Sequence, residues 1–414
     1  MKKYKYLIIG AGTTAGYAAK EFVERGLSAG ELALIGAEPS LPYDRPPLTK
    51  EYLAGKKSAD ELLVNPPDFY RENGITVMLR TVVESVHLGN KVVQTSSGKV
   101  GFEKLLIATG ARPRCLDIPG ADLKGIHYLR RVEDSENIRA AAKQSSNVVV
   151  LGGSFIGMEV GSVLSSSGLH VTMIFPEERV WQAFFTREIS SFFADYYRKH
   201  GVTIMPGSRA KAFEGQDGRV SKVVLRSGQV LPADLVVVGV GVQPNVELFE
   251  DMSLDLKDGI LVDSFLQTAV PDVYAAGDVA CYIDRMYDTR RRFEHWDNAV
   301  TQGSLAARNM LGEHEPFVHI PYFFSDVFDL SYEYWGETSR ADHYVVRGNL
   351  LSGSFSVWWL SGDRLVAAFV MDRPEEERQV AQDWIENGHS LSADQLSDDK
   401  LPLQAAEIVV TASD

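Results

Sequence analysis

Two stretches of the chain carry the same order of apolar and glycine positions. Near the N-terminus a continuous apolar run, Tyr6 to Ile9, meets Gly10-Ala11-Gly12-Thr13-Thr14-Ala15-Gly16. Helical spacing then continues to about Gly26, and a second apolar run, Leu32 to Ile35, leads to Glu38. Midway, Val148 to Leu151 meets Gly152-Gly153-Ser154-Phe155-Ile156-Gly157, followed by a helix to Gly168, the strand Val171 to Phe175 and then Glu177. Each half closes on another apolar run with glycine beyond it. Leu105 to Ile107 precedes Ala108-Thr109-Gly110-Ala111-Arg112-Pro113, and Leu235 to Val238 precedes Gly239-Val240-Gly241-Val242-Gln243-Pro244. Short uninterrupted apolar runs joined through helices predict buried parallel strands, hence an α/β architecture built twice.

Each glycine turn has a chemical use. The first glycine permits a tight turn, the second lets the backbone approach a pyrophosphate, and the following helix offers free N–H groups to its charge. The acids Glu38 and Glu177, at the ends of the second strands, are placed to accept ribose hydroxyls. One such pattern alone is weak; two copies with their acids define two dinucleotide sites. The second departs from the ideal at Ser154, where a hydroxyl stands in place of a glycine. Glu177 favours NADH, because a carboxylate repels a 2′-phosphate, while Arg179 nearby keeps NADPH open. Two nucleotides in one chain predict a tightly held flavin that receives hydride from a nicotinamide. A further strand, Val273 to Ala275, runs into Gly277-Asp278 as a return of the first domain.

Composition narrows the class. The 414 residues are 45% hydrophobic and 24% charged, with two cysteines and a formal net charge of −14. An acidic balance disfavours nucleic acid, whose binding rests on clustered Lys and Arg. Cys115 and Cys281 share no paired spacing, which excludes a disulfide framework or a cysteine zinc site, and no metal is expected. Sparse cysteine fits a reducing, cytoplasmic setting. No apolar stretch reaches the ~20 residues of a bilayer span. The start, Met1 to Ile9, is read as a strand rather than a signal peptide, since Gly10, Gly12 and Gly16 interrupt the apolar run.

The motifs Pro42-Tyr43-Asp44-Arg45-Pro46-Pro47-Leu48-Thr49-Lys50, Ala108 to Pro113, Gly152 to Glu159, Gly277-Asp278 and Glu294-His295-Trp296 extend the pattern. With them the chain resembles the FAD-dependent pyridine-nucleotide reductases, in the branch of ferredoxin reductases, apoptosis-inducing-factor-like proteins and monodehydroascorbate reductases. The resemblance implies a glutathione-reductase-like fold: two Rossmann-like domains and a C-terminal α+β domain. Its implied boundaries are an FAD domain at 1–112 and 245–320, an NAD(P)H domain at 113–244 and the C-terminal domain at 321–414. The resemblance puts the two nucleotides, FAD and NADH, along Gly10 to Ala15, Glu38, Arg45, Lys50, Val82, Ala108, Thr109, Gly110, Arg112, Arg130, Gly152 to Gly157, Glu159, Glu177, Gly241, Gly277, Asp278, Glu294, His295, Trp296 and Phe324, with Arg45, Lys50, Asp278 and Phe324 by the flavin and Gly152 to Gly157 with Glu177 by NADH. Lys50 is expected beside the reactive flavin edge, paired with Glu159, so that a cation stabilises negative charge on the reduced ring.

The acceptor divides the branch. The stretch from Glu38 to Gly74 has no cysteine, which removes disulfide reduction. Val171 to Glu177, Val236 to Gly241 and Phe328-Asp329-Leu330-Ser331 resemble monodehydroascorbate reductase, as does Met286-Tyr287 with the arginines after it. Yet the two arginines by which that family holds its organic radical are here Val300 and Asp326, and its tyrosine beside the flavin is Phe324. Glu294 to Ala299 and Pro321 to Asp326 resemble the ferredoxin reductases instead. Arg285, Arg290, Arg291 and Arg292 form a basic cluster that reads either as a solvated face or as a dock for an acidic iron–sulfur protein. The leading expectation is an NADH oxidoreductase delivering single electrons to a ferredoxin-type protein. Monodehydroascorbate and a slow NADH-sensing role are the alternatives. The tail after His389 carries no evident chemistry.

Overall fold

The computed structural model describes residues 1–408 apart from Asp251 and Ser253. By their contacts these residues form two compact units. The first comprises, among the described residues, 1–47, 57–114 and 241–319; the second comprises 48–56, 115–240 and 320–408. The segment 48–56, which carries Lys50, therefore makes its contacts with the second unit, although the sequence reading placed it inside the FAD domain.

In the first unit the strand Lys2–Ile9 lies between Leu32–Ile35 and Gly98–Ile107, all parallel, and Val273–Ala275 pairs parallel with Gly98–Ile107. Their residues are apolar throughout because both sheet faces are covered, and Leu7, Ile8, Leu105 and Leu106 have no exposed surface. The register brings Ile9 level with Ile35 and Ile107, and Ile107 level with Ala275. The chain leaves all four strands at one edge, through Gly10, Gly36, Ala108 and Ala276. Helix Thr13–Glu24 follows the first strand. The first strand starts earlier than its apolar run, at Lys2, because the sheet pairs Lys2 with Val100 while the lysine side chain stays in water.

The second unit repeats the arrangement. Five parallel strands run in the order Thr203–Met205, His170–Ile174, Asn147–Leu151, Leu235–Val238, Ile126–Tyr128, with Leu151 level with Ile174 and Val238. Helix Phe155–Ser166 follows the central strand. The same unit holds a five-stranded antiparallel sheet whose first strand, Tyr322–Val327, alternates strictly between half-buried and buried residues. That alternation points Phe323 and Ser325 one way and Phe324 and Asp326 the other. Helix Glu375–Glu386 belongs to the same unit.

The tail is more ordered than its polar composition implies. Arg347, buried on the antiparallel sheet, donates to the carbonyls of Asp398 at 2.6 Å and Leu401 at 2.7 Å, and pairs with Glu377 at 2.9 Å. Residues 409–414 of the tail, and of the expected C-terminal domain, lie outside the described residues. No described helix is long and apolar enough to cross a membrane, and no cluster of metal-ligating side chains occurs among the described residues.

Candidate functional site

The first glycine turn is set by close backbone approach. Gly10 has φ +119°, and a side chain there would meet the carbonyl oxygen of Ala108 at 2.1 Å. Its counterpart Gly152 has φ +136° and faces the carbonyl of Gly239 at 2.3 Å. Adjacent strand ends thus press on one another where the chain turns into the helix. Both helices that follow begin uncapped. Gly12 and Ser154 hold the N-cap positions without a side-chain cap, and neither first turn carries an acid. Helix Arg187–Lys199 differs, with Thr186 capping it and Glu188 in its first turn. Helix ends left with free N–H groups and no competing carboxylate fit the pyrophosphates of FAD and of a nicotinamide nucleotide.

Around the first turn, Ala11, Thr14 and Ala15 lie on the turn and helix start, and Thr13 donates to the Tyr43 carbonyl at 3.0 Å. Glu38 accepts from the Tyr43 hydroxyl at 2.6 Å and from Arg45 at 3.1 Å, so the ribose acid sits in a polar network of its own. Gly277 opens a short 3-10 turn, Gly277–Val279, and its amide donates at 2.8 Å to Gln302, which is fully buried. That turn aims Asp278 from the same sheet edge. Thr109 donates to the Asn245 carbonyl at 2.9 Å, Arg112 bonds the Asn245 side chain at 2.9 Å and also pairs with Glu247, and Gly110 accepts from the Asn245 amide. Val82 is half exposed on a loop.

Helix Trp296–Leu311 packs against helix Thr13–Glu24. His295 is its N-cap, and burial pushes the imidazole down to about 4 against the pull of Asp278 and Asp297, leaving it neutral at ordinary pH. The Trp296 indole donates to Asp44 at 2.6 Å. Glu294 pairs with Arg292.

In the second unit the turn carries Gly153, Ser154, Phe155, Ile156 and Gly157 in order, with the Ser154 hydroxyl not spent on capping. Glu177 lies in a bend three residues beyond the neighbouring strand, His170–Ile174, and is exposed. Arg179 instead donates to the carbonyls of Gln182 and Phe185, both at 3.4 Å, and Arg187 lies 3.9 Å from Glu178. Neither arginine is paired with Glu177. Gly241, grouped with the first unit, has Arg114 beside it; Arg130 belongs to the second unit, and its amide donates to Asp134 at 2.9 Å.

Lys50 and Glu159 come together, but through intermediaries. Glu159 is buried and accepts hydrogen bonds from the Thr49 and Ser325 hydroxyls, the latter at 2.5 Å. The Lys50 ammonium lies 3.4 Å from Asp326 and 4.6 Å from the centre of the Phe324 ring. Burial holds the Glu159 carboxyl above the usual range, with Lys50 opposing the shift. Thr49, Ser325, Asp326 and Gln302 were not among the expected site residues. The alternation of Tyr322 to Val327 beside a motif residue is the signal that could have found two of them.

The basic cluster is braced from within. Arg291 donates to Asp284 at 2.8 Å. Arg292, its side chain 5% exposed, holds Asp258 at 3.1 Å, Glu294 and the Asp278 carbonyl. Arg290 donates to the Val262 carbonyl at 3.0 Å, and Arg285 to the Ser264 hydroxyl at 3.0 Å.

A doubly wound unit with an uncapped glycine turn, built twice in one chain, defines a two-nucleotide flavoprotein reductase. Residues 4–303 match the family described as Pyridine nucleotide-disulphide oxidoreductase, and residues 322–407 match Reductase C-terminal. The chain belongs to this family, as an FAD- and NAD(P)H-dependent oxidoreductase. It is 37% identical to monodehydroascorbate reductase 3 of Arabidopsis thaliana, over 96% of this chain and 97% of that protein. It is also 37% identical to monodehydroascorbate reductase of Pisum sativum, over 92% and 93%. Among solved structures it resembles the ferredoxin reductase for the CYP199A2 system from Rhodopseudomonas palustris, with TM-score 0.93, 33% identity and coverage of 97% and 99%. The covalent putidaredoxin reductase–putidaredoxin complex is similar, with TM-score 0.91, 31% identity and coverage of 98% and 99%.

Proposed function

We propose that this protein carries electrons from NADH to a ferredoxin-type iron–sulfur protein. In this reading FAD lies along the turn at Gly10, with Asp278, Arg45 and Trp296 beside it, and supplies the hydride-accepting and electron-donating chemistry. The domain limits proposed are those of the sequence reading. NADH is held at the uncapped helix start after Gly152, and Glu177 receives the adenosine ribose. Lys50 provides the cation beside the flavin edge.

One observation favours a protein acceptor over a small anion. The Lys50 ammonium already has a carboxylate partner in Asp326, and Val300 and Asp326 supply no cation in exchange. A small enolate or carboxylate radical would meet a carboxylate where it needs an arginine. A protein partner brings its own surface and needs only a short path to the flavin. Docking at the basic cluster would rest on Arg285 and Arg290, whose residues remain exposed, because Arg291 and Arg292 are neutralised by Asp284, Asp258 and Glu294. The 37% identity to monodehydroascorbate reductases keeps that activity as the second reading.

Stopped-flow reduction by NADH, followed by mixing with oxidised ferredoxin or with monodehydroascorbate, separates the two. Fast reoxidation by ferredoxin, slowed by salt and by Arg285→Glu with Arg290→Glu, is the expected result. Fast reoxidation by the ascorbate radical alone transfers the assignment to the second reading, and slow reoxidation by both leaves a sensor.

A further inference from the structure

Two carboxylates feel the Lys50 ammonium, and they are unequal. Asp326 has a side chain 47% exposed and sits 3.4 Å from Lys50. Glu159 is buried, and among the described residues its carboxyl has hydroxyl partners, Thr49 and Ser325, but no cation within ion-pair distance. Leaving a buried carboxylate ionised without a direct counter-ion is costly, whereas water solvates the charge on Asp326. The least costly distribution puts the negative charge on Asp326, against Lys50, and a proton on Glu159.

We propose that Asp326 is a positioning residue which draws Lys50 off Glu159 and so keeps Glu159 a protonated carboxylic acid at neutral pH. One of the two hydroxyls flanking Glu159 then accepts its proton as a hydrogen bond, and the other continues to donate. The direction of titration agrees: burial raises the Glu159 carboxyl and the Asp326 charge adds to the rise, against Lys50, Ser325 and Thr49. The remaining ionisable neighbours are Tyr197 and Tyr332, whose phenols burial keeps neutral. Tyr197 spends its hydroxyl on the Met158 carbonyl at 2.8 Å.

A consequence follows that rests on the proposed function. A hydride is two electrons and a proton, so handing both electrons on singly leaves one proton to be returned to water. Glu159, already an acid, can serve that proton only as a relay, releasing its own toward water as it takes up the new one. The protonation state itself does not depend on which acceptor is used.

Infrared difference spectra of the FAD-loaded enzyme across pH, compared with Glu159→Gln, identify the C=O stretch of the Glu159 acid. The band is expected in the wild type at pH 7, with its midpoint moved down by about one unit or more in Asp326→Asn and restored in Asp326→Glu. Unchanged flavin absorbance checks that each variant is folded. Where Glu159→Gln does not hold FAD, carbon-13 NMR of glutamate-labelled wild type and Asp326→Asn makes the same comparison. Absence of the acid band at pH 7, or a midpoint that ignores Asp326→Asn, overturns the proposal, whatever acceptor the stopped-flow experiment finds.

Discussion

The indole N–H of Trp296 donates to the carboxylate of Asp44 at 2.6 Å, joining the start of helix Trp296–Leu311 to the segment that carries Arg45. The Tyr17 ring meets the same indole edge-on at 6.1 Å. Burial lifts the Asp44 carboxyl above its usual range, and Trp296 and Tyr17 oppose the lift. Trp296→Phe removes one donor to a charged acceptor and is expected to cost about 1.5–3 kcal/mol at neutral pH. The loss should shrink as pH falls, because the indole N–H holds a carboxylate more tightly than a carboxylic acid. Urea midpoints for the first unit at pH 7 and pH 4 test this, and an equal loss at both removes the charged bond as its cause.

His295 predicts a second pH effect. Its folded pKa of about 4 lies below the unfolded value of about 6.5, so the unfolded chain binds more protons between those limits. Stability from this group is complete above pH 6.5 and is lost as pH falls toward 4. Replacing it with Gln should flatten that part of the stability curve by about 2 kcal/mol. An unaltered slope between pH 6.5 and 4 would place the acid sensitivity elsewhere, in the carboxylates.

Ser154→Gly is expected to leave the melting temperature nearly unchanged, since the hydroxyl caps nothing. The KM for the pyridine nucleotide should change a few-fold, a difference of about 1 kcal/mol. Should KM stay constant, Ser154 does not touch the pyrophosphate.

Glu177→Ser removes the carboxylate that would face a 2′-phosphate, while Arg179 and Arg187 stay with their present partners. The ratio of kcat/KM for NADH over NADPH should fall by about tenfold, mainly through the NADPH term. A fall caused only by weaker use of NADH would mean that Glu177 holds the ribose without repelling phosphate.

Much of the architecture is written in the sequence because buried parallel strands are apolar on both faces and end at glycines. Leu32–Ile35 matches its apolar run residue for residue, and helix Phe155–Ser166 begins inside its glycine motif, before Gly157. Site details that depend on folding are not written there. The Lys50–Asp326 pair joins residues far apart in the chain, and no local pattern ranks Asp326 above Glu159 as the partner. The four arginines near 290 look like one positive patch, yet Arg292 is neutralised by Asp258, in the turn of a different strand pair, as well as by Glu294 two residues on. Charge runs reveal where cations are and not what has already claimed them.

The alignment of Ile9, Ile35, Ile107 and Ala275 across the first sheet has an evolutionary corollary. Any of these strands tolerates respelling with other apolar residues, but one inserted residue advances its end by about 3.3 Å and turns every later side chain to the opposite face. Relatives of this chain should therefore vary freely in strand composition and hardly at all in strand length, with insertions confined to the far edge of the sheet.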